Sequence, residues 1–139
     1  MLMRSIENRQ VILVARRLQK LSGSAWFLRE RVKFLYDQAM ARGIQQAWPE
    51  FPTFEWTYEE ARGSNGSRIN AVPSGPDQIP GAGATLIHAE EVAFWPAAKA
   101  SIARMRPTVQ GGGHLVLVTT AQAGTFAEEL RNGTLQRSR

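Results

Sequence analysis

Residues 85–96 read TLIHAEEVAFWP, and the fold depends on how they are parsed. Thr85 to Ala89 is a run of strand-formers, and it stops at two adjacent carboxylates, Glu90 and Glu91. An apolar pair, Phe94 and Trp95, follows at once. A buried strand that ends in two acids must hide charge at a cost or present it to something. A lone histidine inside such a strand is more often a packed core residue than a ligand, and His88 is read that way. The plain alternative for the acids is a helix N-terminus carrying favourable charge.

Working outward, residues 96–106 predict a helix with Pro96 in its first turn. QGGGH is a flexible turn, and HLVLVTT predicts a third buried strand that ends at Thr119 and Thr120. AQAG turns the chain again, and TFAEELRNG predicts a short helix stopped by Gly133. The tail TLQRSR has little to fold around.

Upstream of the acids, residues 75–83, GPDQIPGAG, form a Pro/Gly-rich loop. Asn65-Gly66 is a strong tight-turn dipeptide, so FEWTY and SRINAVP are expected to pair as a hairpin. WPEFPTFEWTY, residues 48–58, reads as a loop and an edge strand pinned by aromatic packing. Residues 25–42 predict a helix, with Leu28, Val32, Leu35 and Ala39 as its apolar stripe and Gly43 as its stop. Ser22, Gly23 and Ser24 offer the turn and N-cap before it. Residues 10–16, QVILVAR, predict a further buried strand.

Strands alternating with helices argue for an α/β fold, a three-layer sandwich around a mostly parallel sheet with an inserted β-hairpin. Ligands collect at the carboxyl ends of strands in such sheets. That rule places Glu90, Glu91, Thr119 and Thr120 on one edge, although the sequence separates them.

Composition bounds the function. A chain of 139 residues suits one domain, and 43% hydrophobic with 21% charged residues excludes disorder. With no cysteine, disulfides and thiolate metal sites are excluded. The start, MLMRSIENRQ, lacks the apolar core of a signal peptide, and no apolar run has membrane-spanning length. A soluble intracellular protein is expected. The net charge of +5 and sequence pI near 10.4 are concentrated early in the chain. Arg16, Arg17, Lys20, Arg29 and Lys33 are candidates for tracking a phosphate backbone; a solvated helix face is the plainer reading.

An apolar strand followed by two acids is the layout of a Walker B segment. There the first acid helps hold Mg²⁺ against nucleotide phosphates, and the second orients or deprotonates the attacking water. By spacing, Glu90 takes the metal role and Glu91 the water role. Over about residues 11–124 the chain resembles the large terminase subunit of tailed bacteriophages, the ATP-driven DNA-packaging motor. NGSRINAVPSGPDQIPGAGATLIHAEEVAFWP is similar to that family's hairpin, Gly loop and Walker B block in order. HLVLVTTAQAG is similar to the strand and coupling motif that follow.

The resemblance implies a fragment of a P-loop NTPase fold of the ASCE type, using ATP and Mg²⁺ in the complete enzyme. It implies Glu90 as the Walker B acid, Glu91 as the catalytic glutamate, and Thr119 and Thr120 as the coupling motif. It also implies double-stranded DNA, the phage portal and the small terminase subunit as partners, a homo-oligomeric ring, and work in the host cytoplasm with no membrane. Residues 1–139 then form one partial ATPase domain, with 125–139 as a short helix and tail.

Departures from the family pattern matter. Glu90 is one methylene longer than the usual Asp, Pro80 stands where the loop commonly has Arg, and Ala121 and Gln122 occupy the third coupling position. No G-x-x-x-x-G-K-[ST] string exists in the sequence. The chain is therefore expected to begin just after the Walker A loop, to lack the nuclease domain, and to be inactive alone. A helicase-like P-loop ATPase fragment is one alternative. A non-catalytic DNA-binding module that kept the fold is another.

Overall fold

The computed structural model describes residues 11–16, 21–78 and 83–132, with the backbone alone for residues 11–16, 21, 22 and 78. Arg17, Lys20, Pro80 and Gly133 lie outside the described residues. Strand β1 (Val11–Arg16) leads to a continuous helical rod made of α1 (Leu21–Phe27), a π-helical stretch (Leu28–Lys33) and α2 (Phe34–Ala41). The rod is unbroken because Phe27 and Lys33 at its joints keep right-handed helical dihedrals, −59°/−44° and −61°/−41°.

Ser22, Gly23 and Ser24 lie inside α1, which corrects the expected N-cap. Ser24 is fully buried, and its hydroxyl donates to the Val72 carbonyl on the sheet. Its polarity is satisfied by packing geometry and not by a helix end. Of the expected stripe, Leu28 and Val32 are buried and Ala39 packs against the same core, while Leu35 is 59% exposed. Tyr36, four residues after Val32, takes the inward position expected of Leu35 and is buried. Gly43, at φ +74°, ends α2 as expected, and its N–H donates to the Met40 carbonyl at 3.0 Å.

A short α3 (Ile44–Ala47) leads into a meander of β2 (Phe54–Trp56), β3 (Glu60–Gly63) and β4 (Arg68–Pro73). Chain reversal does occur at Asn65-Gly66, where Gly66 has φ +84°. However, SRINAVP pairs with β3 and not with FEWTY, since Ala61 faces Ile69 while Trp56 faces Ala61. The extra strand arises because residues 57–60 close a second tight turn. Its closing bonds are Thr57 N–H to Glu60 carbonyl, 2.8 Å, and Glu60 N–H to Thr57 Oγ1, 3.1 Å.

After a 3₁₀ turn (Pro76–Gln78) come β5 (Leu86–Glu90), a second 3₁₀ turn (Val92–Phe94), α4 (Ala98–Thr108), β6 (His114–Val118) and α5 (Phe126–Arg131). The sheet order is β2-β3-β4-β1-β5-β6. Strands β4, β1, β5 and β6 run parallel, and β2 and β3 run antiparallel to their neighbours. Strand β1 is thus central, between β4 and β5.

Alternation along β5 splits the core into two layers. Leu86 joins Leu28, Tyr36, Phe51, Phe54 and Ile69 beneath the helical rod. Ile87 and Ala89 join Val92, Trp95, Ile102 and Met105 beneath α4. The expected aromatic pinning of residues 48–58 is present: Tyr36 lies 6.0 Å from Phe51, 5.6 Å from Phe54 and 5.5 Å from Trp56.

Strand β6 was expected to be buried and is not. Leu115 and Leu117 pack toward α4, but Val116 and Val118 are 41% and 44% exposed. Among the described residues β6 is an edge strand, and its face on the side of the helical rod is uncovered. Among the described residues no helix is long and apolar enough to cross a membrane.

Candidate functional site

The carboxyl ends of the four parallel strands form one row. Arg16 pairs with Pro73, Ala15 with Ala89, and Glu90 with Val118. The backbone of Arg16 is therefore level with Glu90, and Thr119 begins one residue beyond. The expected convergence of Glu90, Glu91 and Thr119 at one strand edge is present in the backbone register. Thr120 follows Thr119 and is exposed.

Glu91 turns the chain out of β5 with φ 54° and ψ 39°, the left-handed conformation. It is the single non-glycine residue with positive φ among the described residues. A side chain there costs roughly 1–2 kcal/mol against the right-handed alternative, and such outliers concentrate at functional sites.

The surroundings hold the turn in place through hydrogen bonds. Glu91 carbonyl accepts from Phe94 N–H at 2.9 Å, starting the 3₁₀ turn. The indole of Trp95, itself 4% exposed, donates to the Glu90 carbonyl at 2.8 Å. Thr119 Oγ1 accepts from Ala93 N–H at 2.9 Å and donates to the Thr120 carbonyl at 3.2 Å. One hydroxyl thus ties the end of β6 to the turn that carries the acids.

His88 is not simply a core residue, which corrects the sequence reading. It shares a strand face with Glu90, and its Nε2 lies 3.2 Å from Glu90 Oε1. The imidazole also stacks on Phe27, with ring centroids 5.7 Å apart and planes 19° from parallel. The period of two along a strand puts residues 88 and 90 side by side. H-x-E was therefore a readable signal, whereas the indole of Trp95 reaching back to Glu90 was not.

The basic candidates do not join this cluster. Arg29 sits over Tyr58, 6.0 Å from its ring centre. Lys33 contacts Asp37 at 2.6 Å and lies 6.0 Å from the centre of the Trp56 ring. Both belong to the β2–β3 side of the sheet. Arg16 stands at the acid row by its backbone.

Glu90 suits a cation site in charge and position: a partly exposed carboxylate, with its side chain 20% accessible, at a strand end. Mg²⁺ characteristically uses one or two carboxylates, with waters and substrate phosphates completing its shell. Among the described residues no three His, Asp or Glu side chains gather to hold a metal. The neighbouring imidazole fits Mg²⁺ poorly, because that ion prefers oxygen donors. A cleft of about 480 Å³ behind the turn, bordered by Trp95, Lys99 and Phe126, does not include either acid in its lining.

In overall architecture the chain has the fold of part of a phage large terminase. The large terminase of a thermophilic bacteriophage, solved in complex with ADP, superposes with a TM-score of 0.53 at 16% identity. The match covers 81% of this chain and 26% of that protein, so this chain spans about a quarter of its length. A second crystal form of the same terminase gives a TM-score of 0.49 at 17% identity over the same shares. No family model matches the sequence, and no curated protein matches it.

Proposed function

We propose that the chain is part of the ATP-hydrolysing motor of a phage terminase large subunit, a fragment of a P-loop NTPase fold that packages viral DNA into proheads. One observation carries the reading. On a fold similar to a terminase, the strand that ends in Glu90 and Glu91 hands over to a strained turn that Thr119 ties to the end of the next strand.

In this reading Glu91 orients the attacking water and accepts its proton. Its left-handed backbone turns the chain out of β5 at the carboxyl end of that strand. Glu90 supplies negative charge for a divalent ion, which when bound neutralises phosphate charge. Trp95 fixes the peptide between the two acids through the Glu90 carbonyl. Thr119 gives the turn a mechanical link to β6, so displacement at that strand end is felt by the Ala93 amide and hence by Glu91. Double-stranded DNA, the portal and the small subunit are the partners of this role, in a homo-oligomeric ring in the host cytoplasm.

The sequence contains no Walker A string, so contacts that position the β- and γ-phosphates are missing from this chain. ATP hydrolysis with and without duplex DNA tests the proposal, comparing the chain with the complete reading frame that encodes it. We expect DNA-stimulated turnover by the complete protein and none by the 139-residue chain. A complete protein that neither hydrolyses ATP nor responds to DNA would refute the motor assignment.

A further inference from the structure

We infer that His88 and Glu90 form a two-point chelate for a first-row transition-metal ion, so that the cation at the acid turn is a borderline ion such as Co²⁺, Ni²⁺ or Zn²⁺ in preference to Mg²⁺. The inference deepens the motor reading and rests on Glu90 being its metal-holding acid.

The geometry fits adjacent positions on one metal. Bonds from a metal to imidazole nitrogen and to carboxylate oxygen are each about 2.1 Å. Two such ligands at roughly 100° about the ion are then about 3.2 Å apart. The observed separation of His88 Nε2 from Glu90 Oε1 is 3.2 Å.

The pair is held in advance. Both residues belong to β5, which is flanked on both sides by parallel strands, so their spacing is set by the sheet. Phe27 stacks on the imidazole and limits rotation of the ring. The His88 and Glu90 side chains are 18% and 20% accessible, so the pair keeps contact with solvent. Across the register lie Val116 and Val118, which add an apolar flank that strengthens charge interactions beside it.

The choice of ion follows from the donors. Mg²⁺ demands near-ideal octahedral oxygen coordination, whereas imidazole suits Zn²⁺, Cu²⁺, Fe²⁺ and Ni²⁺, with Co²⁺ between the last two in the affinity order. A carboxylate alone would leave Mg²⁺ on equal terms; the added nitrogen does not. Two protein ligands leave the remaining positions to water and, in the motor, to phosphate oxygens.

The test is Co²⁺ titration of the tag-free chain, followed by visible d–d absorption and calorimetry. His88→Gln, Glu90→Gln and His114→Gln are compared, each shown to be folded by circular dichroism. His88→Asn stands in if the glutamine variant unfolds. The sequence has two histidines, so His114→Gln removes the other imidazole as a source of signal.

We expect Co²⁺ affinity to fall at least roughly tenfold in both His88→Gln and Glu90→Gln, to persist in His114→Gln, and to survive an approximately hundredfold excess of Mg²⁺. Binding indifferent to His88→Gln, or displaced by that Mg²⁺, overturns the chelate. Mg²⁺ binding that is lost in Glu90→Gln yet untouched by His88→Gln overturns it too, while leaving Glu90 as a metal acid. Absence of any divalent binding by the folded chain also overturns it, and the motor reading is then decided separately by DNA-stimulated hydrolysis.

Discussion

At position 91 glycine should be more stable than alanine, although both delete a side chain from the centre of the candidate site. Glu91 occupies φ 54°, ψ 39°. Relieving a side chain of that conformation returns about 1–2 kcal/mol. Glycine gives back about 0.5–1 kcal/mol through the extra freedom of its unfolded chain. Relative to alanine the net gain is about 0.5–1 kcal/mol, or about 2–4 °C in Tm for a domain of this size.

Alanine is the informative control. Glu91→Ala loses the same side-chain contacts as Glu91→Gly but keeps the Cβ, and therefore the strain. Contacts common to the two variants cancel, and the Gly–Ala difference of about 0.5–1 kcal/mol reports the backbone alone. Urea unfolding followed by tryptophan fluorescence and circular dichroism measures both variants. If Glu91→Ala were as stable as Glu91→Gly, the left-handed turn, and the reasoning that a functional demand keeps a carboxylate there, would be refuted.

Three further outcomes follow from the same geometry. Thr119→Val should cost about 1–2 kcal/mol in urea unfolding by removing the acceptor of the Ala93 N–H, while Thr119→Ser should cost much less. Gly113→Ala should cost about 1–3 kcal/mol, because its Cβ would lie 2.3 Å from the Ala84 carbonyl oxygen, a backbone atom with little room to yield. Val118→Lys together with Val116→Thr should lower self-association in light scattering at micromolar concentration, because these valines form the exposed apolar side of an edge strand. An unchanged mass distribution would place any association elsewhere.

What could be read in the sequence was whatever local chemistry decides. Gly43 stops its helix, Asn65-Gly66 reverses the chain, and LIHA forms a strand that delivers two acids to its carboxyl end, because each depends on a few adjacent residues. What escaped depends on longer-range geometry. Spacings of three and four both fit a period of 3.6 residues, so only the packing of Tyr36 on Phe51, Phe54 and Trp56 decides that it is buried in place of Leu35. Strand β3 is four residues long and holds no β-branched or aromatic residue, so only its pairing with Ile69 and its neighbours makes it a strand. HLVLV has the composition of a buried strand, yet its sheet position leaves alternate side chains open.

The same division holds at the site. The convergence of Glu90, Glu91 and Thr119 was legible from the rule that parallel strands present their carboxyl ends on one edge. The bonds that join them were not, because the Ala93 amide and the Trp95 indole are directed by the 3₁₀ turn after Glu91.

Single-turnover ATP hydrolysis by the complete protein in the presence of duplex DNA, comparing the native sequence with Glu91→Gln, addresses the motor assignment most directly. The isosteric amide keeps the packing of the turn but cannot take a proton. The cleavage rate should drop by about 10²–10⁴-fold, with nucleotide affinity little changed. Cleavage at the native rate in Glu91→Gln would contradict the assignment of the water-activating role to this residue.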